Sequence, residues 1–239
     1  MSPENLQEVE RFWAEELGSS PEFLAKAPAF HCTQQEIYNG VQLLQRDRRV
    51  VLAAPPHQME RISKIMRTIP RAHVFSSEFL ERLLTPDLEN ILGPAQVSYA
   101  DQPMLRRNDT SGCRLLTPED APACEQLRNS LSTEELEQSG FNAARLPAFG
   151  KFVDGTLCAV ANYEIWGTRI AHIGVVTHPQ YRRQGHAAAV INALAAHAFE
   201  RNLILQYRAM AINTNSLKLA EALGFEHYCS TIYARLRVM

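Results

Sequence analysis

RIAHIGVVTHPQYRRQGHAAAVINALAAHA, Arg169–Ala198, is the stretch on which the reading of this chain turns. Its first part, Ile170 to Thr177, is apolar and rich in β-branched residues, with Gly167 before it and Pro179 after it, which predicts a buried strand. From Gly185 onward the period changes. Ala187, Val190, Ile191, Leu194, Ala195 and Ala198 recur at three- and four-residue spacing, the signature of an amphipathic helix. Between them lies a short turn carrying two arginines and a glycine. A strand feeding such a turn into a helix N-terminus makes an anion cradle, because the unpaired N–H groups of the first turn and the positive end of the helix dipole converge there.

The turn is neither a dinucleotide fingerprint nor a P-loop, having one glycine and no Gly-Lys-Ser/Thr ending. Arg182, Gly185 and Ala187 instead match the Arg/Gln-x-x-Gly-x-Gly/Ala pyrophosphate loop, and the chain resembles the GNAT acetyltransferases. A second segment carries the same resemblance: Asn213-Thr-Asn-Ser216, then a helix ending in Leu223-Gly224-Phe225. The spacing leaves room for one helix and one strand between the two matches. The resemblance implies a mixed α/β (α+β) fold with a GNAT-type central twisted mixed β-sheet flanked by helices.

Composition bounds the alternatives. With 239 residues, 46% hydrophobic and 21% charged, the chain can bury a sizeable core in one large or two small domains. A formal charge of −2 lacks the basic excess of a nucleic-acid-binding protein. The five cysteines are scattered, never in a Cys-x-x-Cys pair, and read as reduced thiols. His178, His186 and His197 are not spaced for metal ligation with an acidic partner, so no metal is expected. The acidic N-terminus does not read as a signal peptide, and no run approaches the roughly 18 apolar residues of a membrane span. The expectation is a cytoplasmic protein with no membrane or nucleic-acid partner; a homodimer stays open.

Along the chain, residues 5–17 have helical spacing, Val41–Gln45 and Arg49–Ala54 suggest a hairpin, and Met59–Met66 and Ser77–Leu84 read as helices. Thr85-Pro86-Asp87 predicts a third helix start, with threonine as N-cap and proline in the first turn. Ala95–Tyr99 looks like a closing strand. Polar Asp101–Gly112 is the best linker, which sets an N-terminal α/β region at 1–107 and the GNAT-like domain at 108–239. The N-terminal region is either a degenerate GNAT-like half or a family-specific extension, because VLAAPPHQMERISKIM also runs strand, proline turn, helix but lacks the Arg-x-x-Gly loop. In the second region Cys113–Leu116 is a strand, and Thr117-Pro118 and Ser132 open helices that would wall an acceptor site near Phe141 and Asn142. Ala148–Val153 and Thr156–Glu164 flank an Asp154-Gly155 turn. Leu203–Ala211 and Glu226–Leu236 are the last strands.

The resemblance also implies chemistry. Acetyl-CoA would be the acyl-donor cosubstrate, its pantetheine arm pairing with the backbone of Val175, Val176 and Thr177, with an N–H near Val176 facing the thioester oxygen. Its pyrophosphate would sit on the amides of Arg183, Gln184, Gly185, His186 and Ala187, aided by the guanidinium groups of Arg182 and Arg183. Asn213 and Ser216 would add polar contacts, although Asn-Thr-Asn-Ser is also ordinary N-cap chemistry. Where many members carry a proton-donating tyrosine four residues after that serine, this chain has Ala220. Tyr228, Tyr233 or water are left as donors. The position of the usual glutamate base holds His172, with Glu164 the other candidate; a tight turn at 165–168 would place Glu164 across from Arg169. The implied activity is acetyl transfer to a primary amine of a small molecule by direct attack in a ternary complex. A non-catalytic acyl-CoA-binding regulatory protein is the alternative.

Overall fold

The computed structural model describes residues 1–22, 30–66, 73–142 and 144–237. In chain order its first elements are α1 (Pro3–Glu16), β1 (Phe30–Gln34), β2 (Gly40–Arg46), β3 (Arg49–Ala54), α2 (Met59–Met66), α3 (Ser77–Leu84) and β4 (Leu88–Ala100). There follow β5 (Cys113–Leu115), α4 (Ala121–Asn129), α5 (Thr133–Gln138), β6 (Ala148–Val153), β7 (Thr156–Trp166) and β8 (Ile170–Thr177). The last are α6 (His186–Phe199), β9 (Ile204–Met210), α7 (Thr214–Leu223) and β10 (Glu226–Leu236).

Two compact units are formed. One contains Ser2–Val97 with Met210–Ile212 and His227–Met239; the other contains Ser98–Ala209 and Asn213–Glu226, with Met1. These are not the consecutive segments 1–107 and 108–239. The C-terminal strand explains part of the difference: Ser230 to Arg235 of β10 pair antiparallel with Gln45 to Gly40 of β2, so the end of the chain joins the first unit. Asp101–Gly112 groups with the second unit, where Arg106 N–H donates to Leu223 O at 2.9 Å and Asn108 N–H to Asn192 Oδ1 at 3.3 Å.

In the N-terminal unit the strand order is β1-β3-β2-β10-β4. The β2–β3 hairpin forms as expected, with Arg46 opposite Arg49. The strand β1, parallel to β3, has no clear alternation to mark it in the sequence. Leu43, Leu52, Ile62, Leu80, Leu84 and Ile232 build the core under α2 and α3. The helix expected to start at Thr85 does not form, because Thr85 ends α3 instead: its N–H and Oγ1 both donate to Glu81 O, at 3.1 and 2.7 Å. Asp87 then takes Arg61 in an ion pair at 2.8 Å and the chain enters β4. Threonine before proline serves a C-cap as readily as an N-cap, and residue order alone does not separate the two.

The second unit is built on the strand order β9-β8-β7-β6-β5. The β8–β9 pair is parallel and the other pairs are antiparallel, giving a mixed sheet. Alternation along the strands sends Ala161, Tyr163, Ala171 and Ile173 to one face, where they meet Val190, Ile191 and Leu194 of α6 and Leu223 of α7. Val160 and Val176 face the other way, toward Leu116 and Leu127 of the α4 side. Val190, Ile191 and Leu194 are fully buried, each contributing about 1.5–3 kcal/mol of apolar burial. That packing fixes where the first turn of α6 lies at the end of β8.

Candidate active site

The site starts from a fork between two strands. Ladder pairing of β8 with β9 runs from Ile170↔Ile204 to His172↔Gln206 and stops there, although β8 continues to Thr177 and β9 to Met210. Beyond the fork, Ile173–Thr177 pair only with β7. The free edge has polar groups to offer. Among the described residues it meets the loop after α5, from which Ser139 O accepts Val175 N–H at 3.3 Å.

After Thr177 the chain makes a 3₁₀ turn, Pro179–Tyr181, and then the arginine loop. Arg182 Nε donates to Thr177 O at 3.3 Å, folding the side chain back along the strand end. Arg183 has φ 62° and Gly185, the N-cap of α6, has φ 82°. A Cβ on Gly185 would meet no heavy atom within 4 Å. The glycine is therefore required by its left-handed backbone, and the space beside it is open. No side chain caps α6, and its first intrahelical bond runs from Ala189 N–H to Gly185 O. The amides of His186, Ala187 and Ala188 have no intrahelical acceptor, at the positive end of a 14-residue helix.

The open space is a cavity of about 810 Å³ lined by Val175, Thr177, Arg182, Arg183, Gly185, His186, Ala187, Asn213 and Ser216. Nine of the eleven residues expected to contact a cofactor are thus brought together. Val176 lines an adjoining cleft of about 170 Å³. Gln184 lines neither, and its Nε2 donates back to Gln180 O at 3.2 Å. Asn213 Oδ1 caps α7 by accepting Ser216 N–H at 3.1 Å.

Two lining residues carry no sequence signal. Glu135 of α5 pairs with Arg182 at 2.7 Å. Its carboxyl is held below the usual range, first by the Ser132 N–H it accepts as part of the helix cap and then by Arg182. Tyr207 is the first residue of β9 beyond the fork; its Oη lies 2.9 Å from Ser216 Oγ, and burial pushes its phenol up. Position 220, by contrast, is an alanine packed in the core.

His172 is buried, its ring stacked on Trp166 with centroids 4.0 Å apart and planes 13° off parallel. Burial lowers its pKa to about 4, against the opposing effect of a Gln206 hydrogen bond, so the imidazole is neutral at pH 7. Glu164 is not opposite Arg169. β7 runs on to Trp166 and pairs it with Ile170, so the turn is Gly167–Arg169 and Glu164 faces His172 across the ladder. Glu164 bonds Arg145 at 2.8 Å and Trp166 Nε1 at 3.0 Å, while Arg169 Nη2 donates to Asn202 Oδ1 at 2.7 Å. Tyr228 and Tyr233 belong to the N-terminal unit, where their hydroxyls accept from Arg46 at 3.0 Å and Gln42 at 2.8 Å.

The GNAT acetyltransferase family model matches this chain over 149–233, from β6 through the forked strands, the arginine loop and α7 into β10. The similarity to the GNAT acetyltransferase family thus rests on residues 149–233. Solved structures are similar to this chain as well. A GNAT-family acetyltransferase from Colwellia psychrerythraea aligns with TM-score 0.50 and 17% identity, over 66% of this chain and 61% of that one. A GNAT-family protein from Novosphingobium aromaticivorans gives TM-score 0.49 and 23% identity over 63% and 67%. A GCN5-related N-acetyltransferase-like protein from Streptococcus suis gives 0.46 and 18% over 82% and 83%. The match thus spans about two thirds or less of the first two chains. No curated protein matches the sequence. The cavity holds the arginine loop and the end of β8 in one space. Among the described residues there is no group of side chains fit to hold a metal and no helix long and apolar enough to cross a membrane; all five cysteines are free thiols.

Proposed function

We propose that this chain is a cytoplasmic acetyl-CoA-dependent N-acetyltransferase that acetylates a primary amine of a small molecule by direct attack in a ternary complex. The observation that carries the reading is the continuity of the cavity from an uncapped helix N-terminus flanked by two arginines to a strand edge that β9 has left. A diphosphate joined to an extended amide-bearing arm has that same order of chemistry. Acetyl-CoA supplies the activated thioester and the thiol that leaves.

The remaining work falls to the chain. The amides of His186 to Ala188 and the guanidinium groups of Arg182 and Arg183 hold the diphosphate. The edge of β8 at Val175–Thr177 aligns the arm, and Ser139 gives up Val175 N–H for it. An uncharged amine is needed for attack, and His172, neutral at working pH, accepts its proton directly or through water. Glu164 holds Arg145 beside it. Tyr207, protonated and at the fork, offers a proton to the departing thiolate.

Mixing the protein with acetyl-CoA and a panel of primary amines, and following free thiol, tests this. Amine-dependent thiol release is expected. A second reading, an acyl-CoA-binding regulator without turnover, is favoured by the missing tyrosine at Ala220. It predicts CoA binding with no thiol released above the hydrolysis background for any amine.

A further inference from the structure

Behind His172 lies a buried polar chain that the activity itself does not demand. His172 and Gln206 are the last rung of the β8–β9 ladder, so their side chains leave the sheet on the same face just before the strands part. Gln206 is fully enclosed, with Oε1 2.8 Å from His172 Nδ1 and Nε2 2.6 Å from Tyr99 Oη. Tyr99 is fully buried as well. A buried amide oriented this way has used both ends: its nitrogen donates to the phenol and its oxygen only accepts. The imidazole nitrogen facing that oxygen must then carry a proton.

We propose that Gln206, anchored by Tyr99, is a positioning residue that locks His172 in the tautomer with its proton on Nδ1 and its lone pair on Nε2. The inference deepens the proposed function, resting on the role of His172 as base. The opposite nitrogen is suitably placed. Nε2 has no hydrogen-bond partner among the described residues and is not among the enclosed unpartnered atoms. It faces Gly140, where even a Cβ would come within 3.4 Å of it. The stack on Trp166 fixes the ring plane, and Trp166 is itself tied to Glu164 at 3.0 Å. The charged groups that face the ring are Glu164 across the ladder on β7, Arg208 on β9 and Arg145 before β6. None of them bonds His172, so the choice of tautomer falls to Gln206.

Long-range ¹H–¹⁵N correlation spectra of protein labelled at histidine nitrogen read the tautomer without any turnover. Wild type is expected to show His172 protonated on Nδ1. Gln206→Leu keeps the volume and removes the acceptor; it is expected to shift the ring to the Nε2–H form and to lower kcat about tenfold or more, with KM for acetyl-CoA within about twofold. Gln206→Glu retains an acceptor, and is expected to keep the Nδ1–H form while moving the acidic limb of the pH profile upward by about one unit or more, because a carboxylate favours imidazolium. Tyr99→Phe, milder in volume, should loosen the tautomer part-way. An Nε2–H signal in wild type, or an unchanged tautomer in Gln206→Leu, overturns the proposal. The spectrum separates two failures: if His172→Ala left the rate intact, the base role would end while the lock, read by the spectrum, stood.

Discussion

Arg182 Nη2 and Glu135 Oε1 are 2.7 Å apart, an ion pair between the arginine loop and α5 at the wall of the cavity. The guanidinium proposed to meet a diphosphate is thus already engaged by a carboxylate. Both side chains are about two-fifths exposed, so the pair is screened and weak. Glu135→Gln removes the charge and keeps the cap, since glutamine serves the capping box as well as glutamate does. CoA affinity should rise by about 1.4- to fivefold, the equivalent of the 0.2–1 kcal/mol typical of exposed pairs, with a smaller gain at high salt. Titration calorimetry checks it. A weaker Kd would mean that Glu135 aids the ligand.

Tyr207 is the phenol that the cavity offers in place of the one absent at Ala220. Removing its hydroxyl in Tyr207→Phe should lower kcat by about tenfold or more and leave KM for acetyl-CoA within about twofold. Steady-state kinetics decide it. A raised KM with unchanged kcat would make Tyr207 and its Ser216 bond a binding feature only.

The depressed pKa of His172 has consequences for both rate and stability. His172→Ala should lower the rate at saturating substrate by at least about tenfold, and unchanged activity across pH 6 to 9 would remove the residue from the mechanism. In the folded chain the ring stays neutral down to about pH 4, whereas the unfolded chain binds a proton near 6.5. Its contribution is therefore complete above pH 6.5 and declines as pH falls toward 4, by an amount on the order of 3 kcal/mol. Denaturant melts at pH 7.5 and pH 4.5 should show a smaller acid loss in His172→Gln than in wild type. Equal losses would mean that the site admits the charged ring.

Gly185 separates backbone from cavity. With φ 82° and no heavy atom within 4 Å of an added Cβ, Gly185→Ala should cost about 1–2 kcal/mol of stability through left-handed strain alone. Thermal melts without ligand check it; an unchanged Tm would show that the loop rearranges at no cost.

Much of the domain was legible because period-two and period-3.6 patterns are local. β8, α6 and the capped α5 needed only neighbours along the chain, and the arginine loop, Asn213 and Ser216 line one cavity. What stayed hidden depends on residues far apart in sequence. Glu135 meets Arg182 across 47 positions and Gln206 meets His172 across 34, and nothing in either local stretch marks the partner. Glu164 faces His172 and not Arg169 because β7 runs two residues beyond the start of the expected turn, which changes every cross-strand partner. Thr85 failed for another reason, since the same hydroxyl chemistry closes one helix or opens the next. The C-terminal strand joined the N-terminal unit through β2, a choice of partner that no pattern within β10 specifies.

Calorimetric titration of CoA into the wild-type protein and into Gly185→Asp tests the central claim most directly. Saturable one-to-one binding by wild type, weakened about tenfold or more by a carboxylate set beside the amides of α6, is the result predicted. Heat-silent wild type, or equal binding by both proteins, would contradict it.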